Sequence, residues 1–131
     1  MIFNAYETLY YLFQFLIFME NPKNLIFVIF GASGDLASRM LIPAIFSLKT
    51  QKILPEKFAI LGIGRTKISN EDFRKKMSDA IVSYSEEKVT DQNLISGFTK
   101  DLYYHSMDSI SADGYLELKS RLQDIDTKYS I

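Results

Sequence analysis

Cysteine is absent from this 131-residue sequence, and histidine occurs once, at His105. Without cysteine the chain can form no disulfide, no thiolate zinc site and no thiol nucleophile, and its composition is compatible with a reducing compartment. A single histidine leaves few ligands for a metal, so we expect no metal site. His105 lies in a predicted strand beside two tyrosines, and we interpret it as structural rather than as a catalytic base.

An excess of charge of either sign is also missing. The chain carries 15 basic and 16 acidic residues, a formal net charge of −1, and no basic stripe. Nucleic-acid binding depends largely on neutralising phosphates with lysine and arginine, so we expect no nucleic-acid partner. Hydrophobic residues make up 47% of the sequence and charged residues 24%, which is typical of a single globular domain.

No hydrophobic run is long enough to cross a membrane. Residues 1–18 are apolar and aromatic, with Glu7 as the only charge, but their longest low-polarity stretch, 8–18, has about eleven residues. A transmembrane helix needs roughly 20, and no basic start or cleavage site indicates a secretory signal. We interpret 1–18 as an upstream extension and Met19 as the natural start of a domain at 19–131. A membrane segment or signal is the less favoured alternative.

The most informative segment that the sequence does contain is a glycine-rich turn at 31–37, GASGDLA. It directly follows the apolar run at 25–30 and directly precedes a helical stretch at 36–49. Glycines let a phosphate approach the backbone closely, and the helix start supplies unpaired N–H groups and the positive end of the macrodipole. The segment therefore predicts a binding site for a nucleotide pyrophosphate.

Strands and helices alternate along the whole domain. Apolar runs typical of buried parallel strands occupy 25–30, 58–63 and 102–107. Helical patterns occupy 36–49, 70–84, 91–100 and 112–128. Pro43 kinks or interrupts the first of these helices, and Ser69 caps the second. This order predicts an α/β fold, a Rossmann-type parallel sheet with helices on both faces. The fold is incomplete, since it corresponds to the first mononucleotide-binding half, and the first strand is left with an open edge.

Two groups of residues are candidates for cofactor binding. In the turn, Gly31 permits the tight bend, Gly34 lies where N–H groups face a phosphate, and Ser33 adds a hydroxyl. Asp35 either caps the following helix or contacts the ligand. At the end of the second strand stands Arg65, where an NAD enzyme usually has an acid that accepts from the ribose 2′-hydroxyl. A cation there favours NADP over NAD, with a surface arginine as the alternative.

The remaining charged and aromatic clusters are interpreted without a function. We expect residues 74–76 to form a solvated helix face, and Tyr103, Tyr104 and Tyr115 to serve packing rather than stacking on a ligand. Tyr115 and Lys119 have the spacing of a Tyr-x-x-x-Lys acid and base pair, which a short atypical reductase would need. Tyr115, however, belongs to the predicted apolar face of the last helix, which disfavours that role.

The strings GASGDLASRMLIPAIFSL and FAILGIGRTKISNEDFRKKM together resemble the amino-terminal cofactor-binding domain of the glucose-6-phosphate dehydrogenase family, over residues 25–129. The resemblance implies that Arg65 holds the 2′-phosphate of NADP. It also implies a phosphate-binding loop formed by Gly31, Ala32, Ser33, Gly34, Asp35 and Leu36. The intact enzyme would oxidise glucose 6-phosphate to 6-phosphogluconolactone with NADP, in the oxidative pentose phosphate pathway. The resemblance further implies a cytoplasmic location and, at full length, a homo-oligomer.

The chain departs from the family in two respects. Met40 stands where many members have a lysine, and the E-K-P-x-G lysine, the R-I-D-H-Y-x-G-K substrate motif and the catalytic histidine are absent. We therefore expect no catalytic residue here, and interpret the chain as a truncated piece that binds NADP but is inactive alone. The alternatives are a non-catalytic or unstable remnant, and a short atypical NADP-dependent reductase.

Overall fold

Three parallel strands form the centre of the molecule. The computed structural model describes residues 10, 11, 14, 24–107 and 112–130, so most of the predicted extension at 1–18 lies outside the described residues. The strands are β1 (Leu25–Phe30), β2 (Phe58–Gly64) and β3 (Leu102–Ser106), in the spatial order β1-β2-β3. All seven residues of the middle strand, β2, are buried. The predicted Rossmann-type α/β fold is confirmed.

Four α-helices connect and cover these strands: α1 (Ile42–Thr50), α2 (Asn70–Tyr84), α3 (Gln92–Thr99) and α4 (Ala112–Tyr129). The predicted cap of α2 is confirmed, because the Ser69 hydroxyl accepts a 3.0 Å hydrogen bond from the Asp72 N–H. Asp91 caps α3 in the same way, with its carboxylate accepting from the N–H groups of Asn93 and Leu94. The predicted elements thus end within a residue or two of the observed ones.

The predicted interruption at Pro43 takes the form of a widened turn. Residues Ala37–Leu41 are π-helical, and the N–H of Ile42 donates to the carbonyl of Ala37, five residues earlier. Proline has no N–H to donate and its ring crowds the carbonyl four residues before it. A π turn just upstream accommodates that conflict, and Pro43 then occupies the first turn of α1, where proline is tolerated.

The sheet buries an apolar core on each face. One face packs against α1, α2 and α3 through residues of these three helices and of two strands, chiefly Phe46, Phe58, Phe73, Ile81, Phe98 and Leu102. The other face packs against α4 through Ala59, Leu61, Ile63, Tyr103, Met107, Leu118 and Ile125. Helices on both faces leave the carboxyl ends of the strands as the accessible edge, where a ligand can bind.

A polar chain ties α4 to the amino end of β3. Lys128 Nζ donates to the Tyr103 hydroxyl at 2.8 Å, and the phenol oxygens of Tyr103 and Tyr129 lie 2.8 Å apart. The Tyr129 hydroxyl in turn donates to the carboxylate of buried Asp101 at 2.6 Å. Burial and the hydrogen bond to Asp101 raise the pKa of Tyr129. Burial opposes the shift at Tyr103, but the Lys128 hydrogen bond and the charges of Lys128 and Arg74 lower the pKa of that phenol.

The outer edge of β1 is unpaired within the described part of the chain, as the order of the strands predicts. Its last residue, Phe30, is 66% exposed, and Val28 is 38% exposed. In the described residues we find no helix with the length and apolar character required to span a membrane.

Candidate nucleotide-binding site

A cleft of about 500 Å³ opens at the carboxyl ends of the three strands. It is lined by residues from the end of each strand, from the glycine turn and from α4: Phe30, Gly31, Ser33, Gly34, Ile63, Gly64, Arg65, Met107 and Tyr115. The two predicted binding elements, the glycine turn and Arg65, therefore face one cavity. They meet because parallel strands end at the same edge of the sheet.

The glycine turn has the backbone conformation that the sequence predicts. Gly31 has φ of +75°, in the left-handed region that L side chains rarely adopt. The N–H of Ala32 donates to the Ile63 carbonyl at 2.9 Å, and the N–H of Gly34 donates back to the Gly31 carbonyl at 3.0 Å. The first bond holds the turn against β2, and the second closes the turn itself.

Because the Gly34 N–H is engaged within the turn, that group is not aimed at the cleft. Helical backbone begins at Asp35, and the first N–H groups of a helix have no acceptor within it. The donors available to a phosphate therefore include the backbone N–H groups after Gly34 and the Ser33 hydroxyl.

The six predicted loop residues do not all line the cleft. Gly31, Ser33 and Gly34 do, whereas Ala32 is buried beneath the turn. Asp35 and Leu36 are exposed beside it. In the described part of the chain the one side-chain hydrogen bond at Asp35 goes to its backbone carbonyl, from the Ser38 hydroxyl, so the capping role of the Asp35 carboxylate stays a prediction.

Arg65 is exposed and is the only charged residue among the described ones that line the cleft. It follows the last residue of β2, and no ion pair occupies its guanidinium in the part of the chain that the structure describes. An arginine free of carboxylates can form two parallel hydrogen bonds to a phosphate. The cleft therefore combines a positive group with a glycine turn.

Lys75 and Lys76 are exposed, as predicted for a solvated helix face, but Lys76 also contacts the glycine turn. Its Nζ donates to the Ser33 carbonyl at 2.8 Å and so brings a second positive charge to the turn. Arg74 also has partners, since its Nε donates to the Leu102 carbonyl at 2.8 Å and its guanidinium lies 5.1 Å from the Tyr103 ring centre. Both contacts join α2 to segments distant in sequence, which helical periodicity alone does not reveal.

The three tyrosines differ in environment. Tyr103 and Tyr104 are buried, as packing residues should be, but Tyr115 is 50% exposed and lines the cleft. Tyr115 has the spacing of the predicted apolar face, but it does not pack in the core as expected. α4 turns only Leu118 and Ile125 fully into the core, and Tyr115 lies at its first turn, beyond the end of β3. Lys119 does not line the cleft, so the Tyr-x-x-x-Lys pair is not brought together there.

Sequence comparison places these features in a family. A family model for "Glucose-6-phosphate dehydrogenase, NAD binding domain" matches residues 28–130. The chain belongs to the glucose-6-phosphate dehydrogenase family. The domain that matches implies a nicotinamide cofactor, and the resemblance seen in the two sequence strings is confirmed.

Individual relatives cover most of this chain. The glucose-6-phosphate 1-dehydrogenase of Bacillus subtilis is 38% identical over 112 residues, which are 86% of this chain and 22% of that protein. That of Treponema pallidum is 37% identical over 101 residues, or 77% of this chain and 20% of the other. A solved glucose-6-phosphate dehydrogenase in complex with glucose-6-phosphate matches with a TM-score of 0.71 and 32% identity, over 85% of this chain and 22% of that one. The chain thus spans about a fifth of the length of these family members.

Proposed function

We propose that this chain is the NADP-binding portion of a glucose-6-phosphate dehydrogenase. The observation that carries the proposal is the cleft that holds both the glycine turn and an unpaired Arg65, with no acidic residue among its described lining. A carboxylate there would repel the 2′-phosphate of NADP, whereas a guanidinium attracts it. The family match supports a nicotinamide cofactor, and Arg65 is our reason for choosing NADP.

In this proposal the pyrophosphate lies against the turn formed by residues 31–36, with the helix start and Lys76 supplying positive potential. Arg65, in the same cleft, holds the 2′-phosphate. When bound in the full-length enzyme, NADP would supply the hydride acceptor for the oxidation of glucose 6-phosphate to 6-phosphogluconolactone. We assign glucose 6-phosphate binding, the catalytic base and any homo-oligomer to that full-length protein, in the cytoplasm.

Isothermal titration calorimetry of the purified 131-residue chain with NADP and with NAD tests the proposal. We expect saturable binding of NADP and at least about tenfold weaker binding of NAD, because only NADP gains the charge-assisted bonds to Arg65. Equal affinity for the two nucleotides, or no binding of either, contradicts the proposal.

Incubating the chain with glucose 6-phosphate and NADP should produce no NADPH, and measurable turnover would overturn the assignment of the catalytic base to the full-length protein.

Lys76 gives a prediction that concerns the turn rather than the 2′-phosphate. Lys76→Met removes the hydrogen bond to the Ser33 carbonyl and one positive charge. We expect the dissociation constants of NADP and NAD to rise by the same factor, about two- to fivefold, since both nucleotides share the pyrophosphate and the bond is exposed to solvent.

The matched control is Lys75→Met on the same helix. Lys75 is exposed and has no hydrogen bond to another described residue, so its removal changes the net charge equally without touching the turn. Equal effects of the two variants would show that Lys76 acts only through long-range charge. A loss confined to NADP would assign Lys76 to the 2′-phosphate instead of the turn.

A further inference from the structure

The loop that carries Arg65 is attached at both ends to one buried residue of the neighbouring strand, Tyr104. The loop consists of residues 65–69, between β2 and α2. Near its start, the Tyr104 hydroxyl donates to the Thr66 carbonyl at 2.6 Å. At its end, the Tyr104 N–H donates to Oδ1 of Asn70, the first residue of α2, at 2.9 Å. Both ends of the Arg65 loop are therefore bonded to the same residue of the sheet.

Tyr104 is itself firmly held. It is 4% exposed, and its ring centre lies 5.1 Å from that of Phe73. Its carbonyl accepts a 3.1 Å hydrogen bond from Arg121 of α4, whose other contact at 3.4 Å is Oδ1 of Asn70. Side chains from α2 and α4 thus restrict Tyr104 from both faces of the sheet, so its hydroxyl is a rigid anchor for the loop.

The hydroxyl reaches the loop only because Gly64 has no side chain. A Cβ at Gly64 would lie 2.5 Å from the Tyr104 hydroxyl oxygen and 2.6 Å from the Ser33 hydroxyl oxygen. The tyrosine, the end of β2 and the glycine turn therefore come together at one point beneath the cleft. A glycine at such a position is typical of close backbone approach.

We propose that Tyr104 is a positioning residue that sets the preference for NADP over NAD by holding the Arg65 loop in place. The inference rests on the proposed function, because it assumes that Arg65 binds the 2′-phosphate. Tyr104 is not among the residues that line the cleft. Its hydroxyl acts by fixing the backbone beside Arg65. Because the loop is already ordered before NADP binds, Arg65 loses less conformational entropy on binding.

Tyr104→Phe tests the proposal, because it keeps the ring against Phe73 and both backbone bonds and removes only the bond to Thr66. Calorimetry should show a dissociation constant for NADP that is about three- to tenfold higher, the effect of one buried hydrogen bond. The dissociation constant for NAD should stay within about twofold of the wild-type value. In an Arg65→Ala background, Tyr104→Phe should have no further effect on NADP, since the residue acts through Arg65.

Tyr103→Phe is the matched control. It removes a hydroxyl from the adjacent residue of the same strand, but that hydroxyl contacts Lys128 and Tyr129 and points to the other face of the sheet. This variant should lower the stability of the fold and leave the ratio of NADP to NAD affinity unchanged. Asn70→Ala, which releases the other end of the loop, should lower that ratio as Tyr104→Phe does.

The outcomes separate this inference from the proposed function. If the wild-type chain binds neither nucleotide, or both equally, the proposed function fails and the inference fails with it. If the wild type prefers NADP and both Tyr104→Phe and Asn70→Ala keep that preference, only the inference is overturned. A folded Tyr104→Phe protein that loses affinity for NADP and NAD by the same factor also overturns it, because that result assigns Tyr104 to the general stability of the site.

Discussion

Replacing Arg65 with alanine is expected to raise the dissociation constant of NADP by about 10- to 150-fold, which corresponds to roughly 1.5–3 kcal/mol. The size follows from the loss of charge-assisted, two-point hydrogen bonds to a phosphate dianion. The other cation near the site, Lys76, is bonded to the turn and cannot substitute for the guanidinium. Affinity for NAD should stay almost the same, because NAD has no 2′-phosphate.

Two further variants sharpen the test of Arg65. Arg65→Lys keeps the charge but loses the planar fork, so NADP affinity should fall between that of the wild type and that of Arg65→Ala. Lys67→Ala removes an exposed cation from the same loop that does not line the cleft, and should change NADP affinity by less than about twofold. Calorimetric titration measures all three. A parallel loss of NAD affinity in Arg65→Ala would assign Arg65 to a part of the cofactor common to both nucleotides.

Phe98→Ala is expected to lower the free energy of unfolding by about 3–5 kcal/mol. Phe98 lies in α3 and its side chain is fully buried. Its ring centre is 5.4 Å from that of Phe46, in an edge-on arrangement, and 6.0 Å from that of Phe58. Truncation leaves a cavity where α1, α3 and the sheet meet, and it removes two aromatic contacts. Urea unfolding followed by circular dichroism measures the change.

Leu94→Ala on the same helix is the control, because Leu94 is 52% exposed and its truncation should cost less than about 1 kcal/mol. Equal losses in the two variants would contradict the assignment of Phe98 to the core. The experiment also bears on the unstable-remnant alternative. A cooperative transition in the wild-type chain means that it folds by itself, whereas a broad transition that neither substitution shifts favours an unstable remnant.

Much of the fold follows from local patterns in the sequence. Apolar runs predicted all three strands, and the cap at Ser69 predicted the start of α2, because strand burial and helix capping depend on residues close together in the chain. The position of Arg65 in the same cleft as Gly31 was also predictable. In a parallel sheet, residues that directly follow neighbouring strands necessarily meet at one edge.

Other features could not be predicted from local patterns. Pro43 indicated an interruption, but several distortions accommodate a proline, and local sequence does not choose among them. The π turn at Ala37–Leu41 packs against α2, a contact between segments distant in the chain. Tyr115 has the spacing of the apolar face of α4, yet it lies beyond the sheet and faces the cleft. α4 extends beyond the surface that it covers, and helical periodicity alone does not show where that surface ends.

The sequence by itself determined the class of fold, the glycine turn and the positive charge that lines the cleft, because each depends on residue type at a given position along a strand or helix. The tertiary structure alone decided which residues support that site. Lys76 lies 43 residues from Ser33, and Tyr104 lies 38 residues from Thr66, in the chain. Contacts at such separations depend on strand register and helix packing, which bring Tyr104 beside β2 and Lys76 beside the glycine turn.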